Sequence, residues 1–170
     1  MLKKQEKLIQ TTNWDYLIIL DACRFDYFEQ LYENYLEGKL RKVESPGSQT
    51  WGWFTGSFDK YYEDTVYISS QPGINSQQET DYKASEKFYN IIDVWDWGWD
   101  DRLETVPPKK VNVGFKKAEA KHPDKRKVIH YIQPHAPHIG EKTEVNQKKE
   151  GNFRDFLLSL TNREMLKWRI

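Results

Sequence analysis

A continuous apolar run, Tyr16–Leu20, held between Asp15 and Asp21, constrains this chain more than any other feature. Five apolar residues without polar alternation fit a strand covered on both faces, as in a parallel sheet flanked by helices. The rest of the chain supports that reading. Residues 23–35 place Phe25, Phe28, Leu31, Tyr32 and Tyr35 at helical spacing, with Gly38 as a C-terminal stop. Ser45-Pro46-Gly47-Ser48 reads as a loop, and residues 50–58 as a short helix bearing Trp51, Trp53, Phe54 and Phe58. A second strand is predicted over 65–69 and a third over 90–94. A helix opened by Pro107 and Pro108 runs to about residue 122, and a fourth strand covers 128–132. Residues 133–140 form a loop. A last helix is expected over 153–170, with Phe153, Phe156, Leu157, Leu160, Leu166 and Ile170 inward. Alternating strands and helices predict an α/β layered fold, a largely parallel sheet flanked by helices.

Composition narrows the class. The 170 residues suit a single domain. Aromatic residues reach 15%, so the chain folds around large rings rather than staying disordered. Lys and Arg total 26 against 26 Asp and Glu, which excludes a globally basic nucleic-acid binder. The lone cysteine, Cys23, excludes an internal disulfide framework and reads as an inert buried thiol. The charged N-terminus and short apolar runs predict neither signal peptide nor membrane helix, so a cytoplasmic, soluble protein is expected.

In parallel α/β sheets ligands gather beyond the carboxyl ends of the strands. Three polar clusters fall there: Asp21 after the first strand, Ser69 to Asn75 after the second and His135 after the fourth. Asp21 ends the first strand, where a carboxylate serves as a metal ligand or caps the following helix. Ser48 and Thr50 lie where a hydroxyl either caps a helix or acts as a nucleophile near helix-start N–H groups. His135 and His138 lie in Pro134-His135-Ala136-Pro137-His138, either an ordinary turn or a rigid frame for an imidazole that binds an anion or protonates a leaving group. Two further stretches stand out. The Val94-Trp95-Asp96-Trp97-Gly98-Trp99-Asp100-Asp101 segment reads as a cover over the sheet with solvated acids, a stacking platform or an acidic cation site. The lysines from Lys109 to Lys127 read as a solvated face or a polyanion patch.

The segments around Asp21, Ser48/Thr50 and His135, in this order, resemble sulfatase-like proteins of the alkaline phosphatase superfamily, in particular their archaeal and archaeal-virus branch. The resemblance rests on the 14–28 segment opening Trp14-Asp15-Tyr16, on Ser45-Pro46-Gly47-Ser48-Gln49-Thr50-Trp51, and on His130-Tyr131-Ile132-Gln133-Pro134-His135. It implies metal ligation by Asp21 and Thr50, with Thr50 (or, in another register, Ser48) as nucleophile. It also implies a catalytic role for His135, at the substrate's anionic oxygens or leaving group, and substrate contacts from His135 and His138. It implies a divalent metal (zinc, manganese, calcium or magnesium) and a small anionic ester as substrate. The absence of cysteine near Thr50 points away from formylglycine sulfatases and toward phosphate esters. After His138 there is no histidine, and Asp155 is the only aspartate. The expectation is therefore a single incomplete domain over 1–170, truncated at its C-terminus relative to the family. As this chain stands, it is expected to be weakly active, or a non-catalytic anion- or partner-binding module. No nucleic acid or membrane partner is expected, and an exposed sheet edge invites self-association.

Overall fold

The computed structural model describes residues 2–77, 82–136 and 138–139. Among the described residues four strands make one fully parallel sheet: β2 (Tyr16–Leu20), β4 (Tyr62–Ser69), β5 (Phe88–Asp93) and β6 (Arg126–Tyr131), in the spatial order β2-β6-β4-β5. A parallel two-residue pairing joins β1 (Lys3–Lys4) to β3 (Val43–Glu44). The helices are α1 (Gln5–Thr11), α2 (Phe25–Leu31), α3 (Thr50–Ser57), α4 (Val94–Gly98) and α5 (Pro108–Lys121). This is the α/β layered architecture expected from the alternation of strands and helices.

Side-chain alternation, broken where β4 and β5 shift register between Tyr62 and Val66, divides the core in two. On one face Val66, Ile68, Ile129 and Tyr131 pack with Val111, Phe115 and Ala118 of α5, with Val94, and with Phe28 and Leu31 of α2. On the other, Tyr67, Val128, Phe88 and Ile91 pack with Trp53 and Phe54 of α3, with Phe58, and with Ile9 of α1. The strand order puts the last strand between the first two, so β6 has two neighbours. From Lys127 to Tyr131 it is fully buried. Its position sets the site, because His130 pairs in register with Ile19 on β2 and Ser69 on β4.

Several expectations need correction. Tyr16–Leu20 is half-buried at all five positions, because β2 is paired on one side only among the described residues. The helix expected over 23–35 starts at Phe25 and tightens into a 3₁₀ turn at Tyr32–Asn34. The third strand lies two residues earlier, at Phe88–Asp93, and Val94 opens α4 instead of closing the strand. Lys127 belongs to no solvated face. Strand alternation turns it inward, where its Nζ pairs with Glu119 Oε1 at 2.5 Å. The Trp segment divides: the Trp95 indole donates to Asp93 Oδ1, whereas Trp97 and Trp99 are exposed. The helix expected over 153–170 lies outside the described residues. No helix of the described residues is long and apolar enough to cross a membrane.

Candidate functional site

Each side chain of the site is placed by a local device. Leu20, Asp21, Ala22 and Cys23 form a tight turn closed by Cys23 N–H to Leu20 O at 3.3 Å. Ala22 there has φ 57°, a conformation that costs an L-residue about 1–2 kcal/mol. The turn swings the chain off the sheet immediately after Asp21, whose own N–H still bonds to Tyr131 O at 3.1 Å. Asp21 therefore remains in the sheet's hydrogen-bond pattern and does not cap α2; the residue before that helix is Arg24.

Thr50 is the first residue of α3, and Gln49 before it makes no side-chain cap. The loop reaches this start by a close backbone approach. A Cβ on Gly47 would lie 2.4 Å from Trp53 N and 2.5 Å from Gly52 C, so only glycine lets the turn lie on the helix. Because neither Ser48 nor Thr50 is used as a cap, the Thr50 hydroxyl is free to point at the sheet. It donates to Asp21, at 3.1 Å from Oδ2 and 3.4 Å from Oδ1. Ser48 is exposed.

Behind this pair lies a histidine that sequence reasoning did not single out. His130 is fully buried, and its Nε2 stands 4.0 Å from Asp21 Oδ2. That nitrogen has no hydrogen-bond partner. The other, Nδ1, lies 2.7 Å from the hydroxyl of Tyr67, also fully buried. The backbone is clamped as well: Ser70 donates to His130 O from Oγ at 2.6 Å and from N–H at 3.3 Å. The Trp53 ring meets the imidazole edge-on with centroids 5.8 Å apart. Burial pulls the His130 pKa down to about 4, only partly countered by the Asp21 charge, so the ring is neutral at neutral pH. Burial, then the same carboxylate, push Tyr67 well above the usual tyrosine range, and Tyr82 is pushed up in the same way. Both hydroxyls stay protonated and can donate.

The signal for His130 is available only in combination. It is the polar residue inside an apolar strand, and alternation aligns it with Val128, but which carboxylate it faces depends on the strand order.

His135 and His138 lie on the segment leaving β6, at the same end of the sheet as Asp21. Both are exposed. The His135 N–H bonds to Ile132 O at 2.9 Å, and its Nδ1 contacts Ala136 O at 2.6 Å. The preceding Gln133–Pro134 peptide is cis. The structure thus joins Asp21 to Thr50, and the histidine within 4.0 Å of Asp21 is His130, not His135. Cys23 is partly buried, and desolvation raises its pKa to about 11, as an unreactive thiol requires.

Asp21 and Thr50 supply too few donors for a metal, which normally takes four or more ligands. No group of three or more His, Cys, Asp or Glu that could hold an ion occurs among the described residues. What the arrangement does supply is a hydroxyl whose proton already points at a carboxylate. It stands at a helix start, where N–H groups without intrahelical partners favour anions. Comparison with family models, with curated proteins and with solved structures finds no match to this chain.

Proposed function

We propose that this chain is a sulfatase-like or phosphatase-like ester hydrolase domain whose nucleophile half is assembled and whose turnover as this chain is slow. The hydrogen bond from Thr50 Oγ1 to Asp21 Oδ2, 3.1 Å long at the carboxyl end of a parallel sheet, carries the reading. Thr50 Oγ attacks the phosphorus or sulfur of a small anionic ester, and its proton passes to Asp21. The bond to the leaving oxygen breaks, and that oxygen takes a proton from water. Water then cleaves the threonyl ester and restores the hydroxyl. The start of α3 faces the anionic oxygens, and His135 and His138, exposed on the segment after β6, are the imidazoles assigned to them. The divalent metal expected of such a site has too few ligands among the described residues, and no step is assigned to it.

The shortage of cation ligands favours a second reading, a fold retained to bind anions without catalysis. One experiment separates them. The full chain is incubated with an aryl phosphate and an aryl sulfate, with zinc, manganese, magnesium or calcium in turn, and intact mass and peptide mapping follow transfer to the protein. The expected result is slow labelling of Thr50, abolished in Thr50→Ala and slowed about a hundredfold or more in Asp21→Asn. Labelling unaffected by Thr50→Ala overturns the proposal. Phosphate binding that perturbs the Thr50 amide without any labelling establishes the second reading instead.

A further inference from the structure

The least explained polar atom near the site is His130 Nε2. It is fully buried, it lacks a hydrogen-bond partner, and it is aimed at the carboxylate that accepts the Thr50 proton. A buried donor or acceptor left unpaired keeps its full desolvation cost. A histidine whose only task was to fill space would be replaced by an apolar ring without that cost.

We propose that Tyr67 and His130 form a buried positioning relay, in which the Tyr67 hydroxyl holds the imidazole in its Nε2–H form and that N–H orients Asp21 toward Thr50. The geometry runs in one direction. Tyr67 stays protonated, so its hydroxyl donates to Nδ1 at 2.7 Å. An Nδ1 that accepts leaves the ring's single proton on Nε2. That N–H faces Asp21 Oδ2 across 4.0 Å, and a closure of about 1 Å brings it into hydrogen-bond range. Asp21 then takes the Thr50 hydroxyl from one side and the imidazole N–H from the other, which fixes the carboxylate plane. Ser70 holds the His130 backbone carbonyl, and the Trp53 ring packs against the imidazole from the side. His130 touches neither the nucleophile nor a substrate; it acts through Asp21. The catalytic value of the relay rests on the reading of Asp21 and Thr50 above, whereas the relay itself is testable without any activity.

The first measurement is ¹⁵N NMR of the imidazoles in the labelled full chain, which holds four histidines. In the wild type, Nε2 of His130 is expected to carry the proton and Nδ1 to show none. Asp21→Asn should move the Nε2 proton resonance, and Tyr67→Phe should let the two neutral tautomers mix. A proton on Nδ1 in the wild type, or an Nε2 proton indifferent to Asp21→Asn, overturns the proposal. The second measurement is the rate of Thr50 labelling. His130→Met, similar in bulk but without the donor, should lower the first-order rate about a hundredfold with KM little changed. His130→Gln, whose amide places an N–H near the Nε2 position, should recover most of it. Equal rates in the Met and Gln variants overturn the positioning role. If wild-type Thr50 is not labelled at all, the hydrolase reading falls, and the NMR result alone decides whether the relay exists.

Discussion

The two faces of the sheet are both dry, yet they are built from different materials. Toward α5 the buried core is mostly aliphatic, with rings such as Phe115 and Tyr131 among the valines and isoleucines, and the helix is drawn down onto it. A Cβ on Gly114 would lie 2.5 Å from Val94 Cγ2 and 3.0 Å from Ile68 Cγ2. Toward α3 the space is filled by rings, with Phe58 and Phe88 centroids 5.0 Å apart and Tyr67 and Phe88 4.9 Å apart, most of the pairs tilted or edge-on. Both faces carry polar tips. Those on the aliphatic side are spent on α5 itself: Tyr131 OH to Asn112 Oδ1 at 2.6 Å and Tyr16 OH to Glu119 Oε2 at 3.1 Å. On the aromatic side Tyr62 and Trp53 bond outward to Asp59 and Gln5, whereas Tyr67 and His130 meet each other and His130 faces Asp21. A tyrosine or histidine brings a hydrogen-bonding group into a core together with enough ring to pack it. An aromatic layer can therefore support a polar site from beneath, where an aliphatic one only anchors a helix.

Removing a ring is the most direct way to break this contrast. Phe54 is fully buried and touches Phe58, Tyr67, Tyr82 and Phe88. Phe54→Ala is expected to cost about 3–5 kcal/mol in urea unfolding. It should also loosen Tyr67 and so disturb the NMR signature of His130. An aliphatic-face truncation such as Ile129→Val should cost only about 0.5–1.5 kcal/mol and leave that signature intact. Equal effects of the two on His130 would show that the site does not depend on the aromatic layer.

Much of this is legible in the sequence, and the unread part has one cause. Tyr16–Leu20, the start of α3 at Thr50 and the strand that ends near Tyr131 are each local patterns of apolar spacing and turn residues, and each is readable within a short window. The Tyr67–His130 contact spans 63 residues and exists because β6 inserts between β2 and β4. Nothing near His130 reports that insertion. Lys127 escapes a sequence reading for the same reason. Its sequence neighbours are charged, and only the strand's alternation and the arrival of Glu119 from α5 turn it inward.

The buried imidazole should also make the aromatic face sensitive to acid. The folded-state pKa of His130 lies near 4, below the value of about 6.5 for an exposed histidine. As pH falls, the unfolded chain takes up this proton first. The contribution is therefore fully present above about pH 6.5 and is lost as pH drops toward 4, by on the order of 3 kcal/mol for this group. Urea midpoints of the wild type at pH 7 and pH 4.5 should show this loss, and His130→Met should lose less over the same interval. A variant with the same acid dependence as the wild type would place the titration elsewhere and remove one distinction between the faces.

The smallest effect is expected at the edge of the site. Ala22 holds φ 57° in the turn that ends β2, where glycine has no Cβ to strain. Ala22→Gly relieves that strain but also frees the unfolded chain, so the net gain is expected to be about 0.5–1 kcal/mol. The strained alanine also limits how far the turn can swing, and Asp21 precedes it directly. Glycine there should let the carboxylate wander from Thr50, so the variant is expected to be more stable by thermal unfolding yet slower in Thr50 labelling. A gain in stability with labelling unchanged would mean that the sheet hydrogen bond from Asp21 N–H to Tyr131 O already holds the carboxylate. The relay from Tyr67 would then have less left to position.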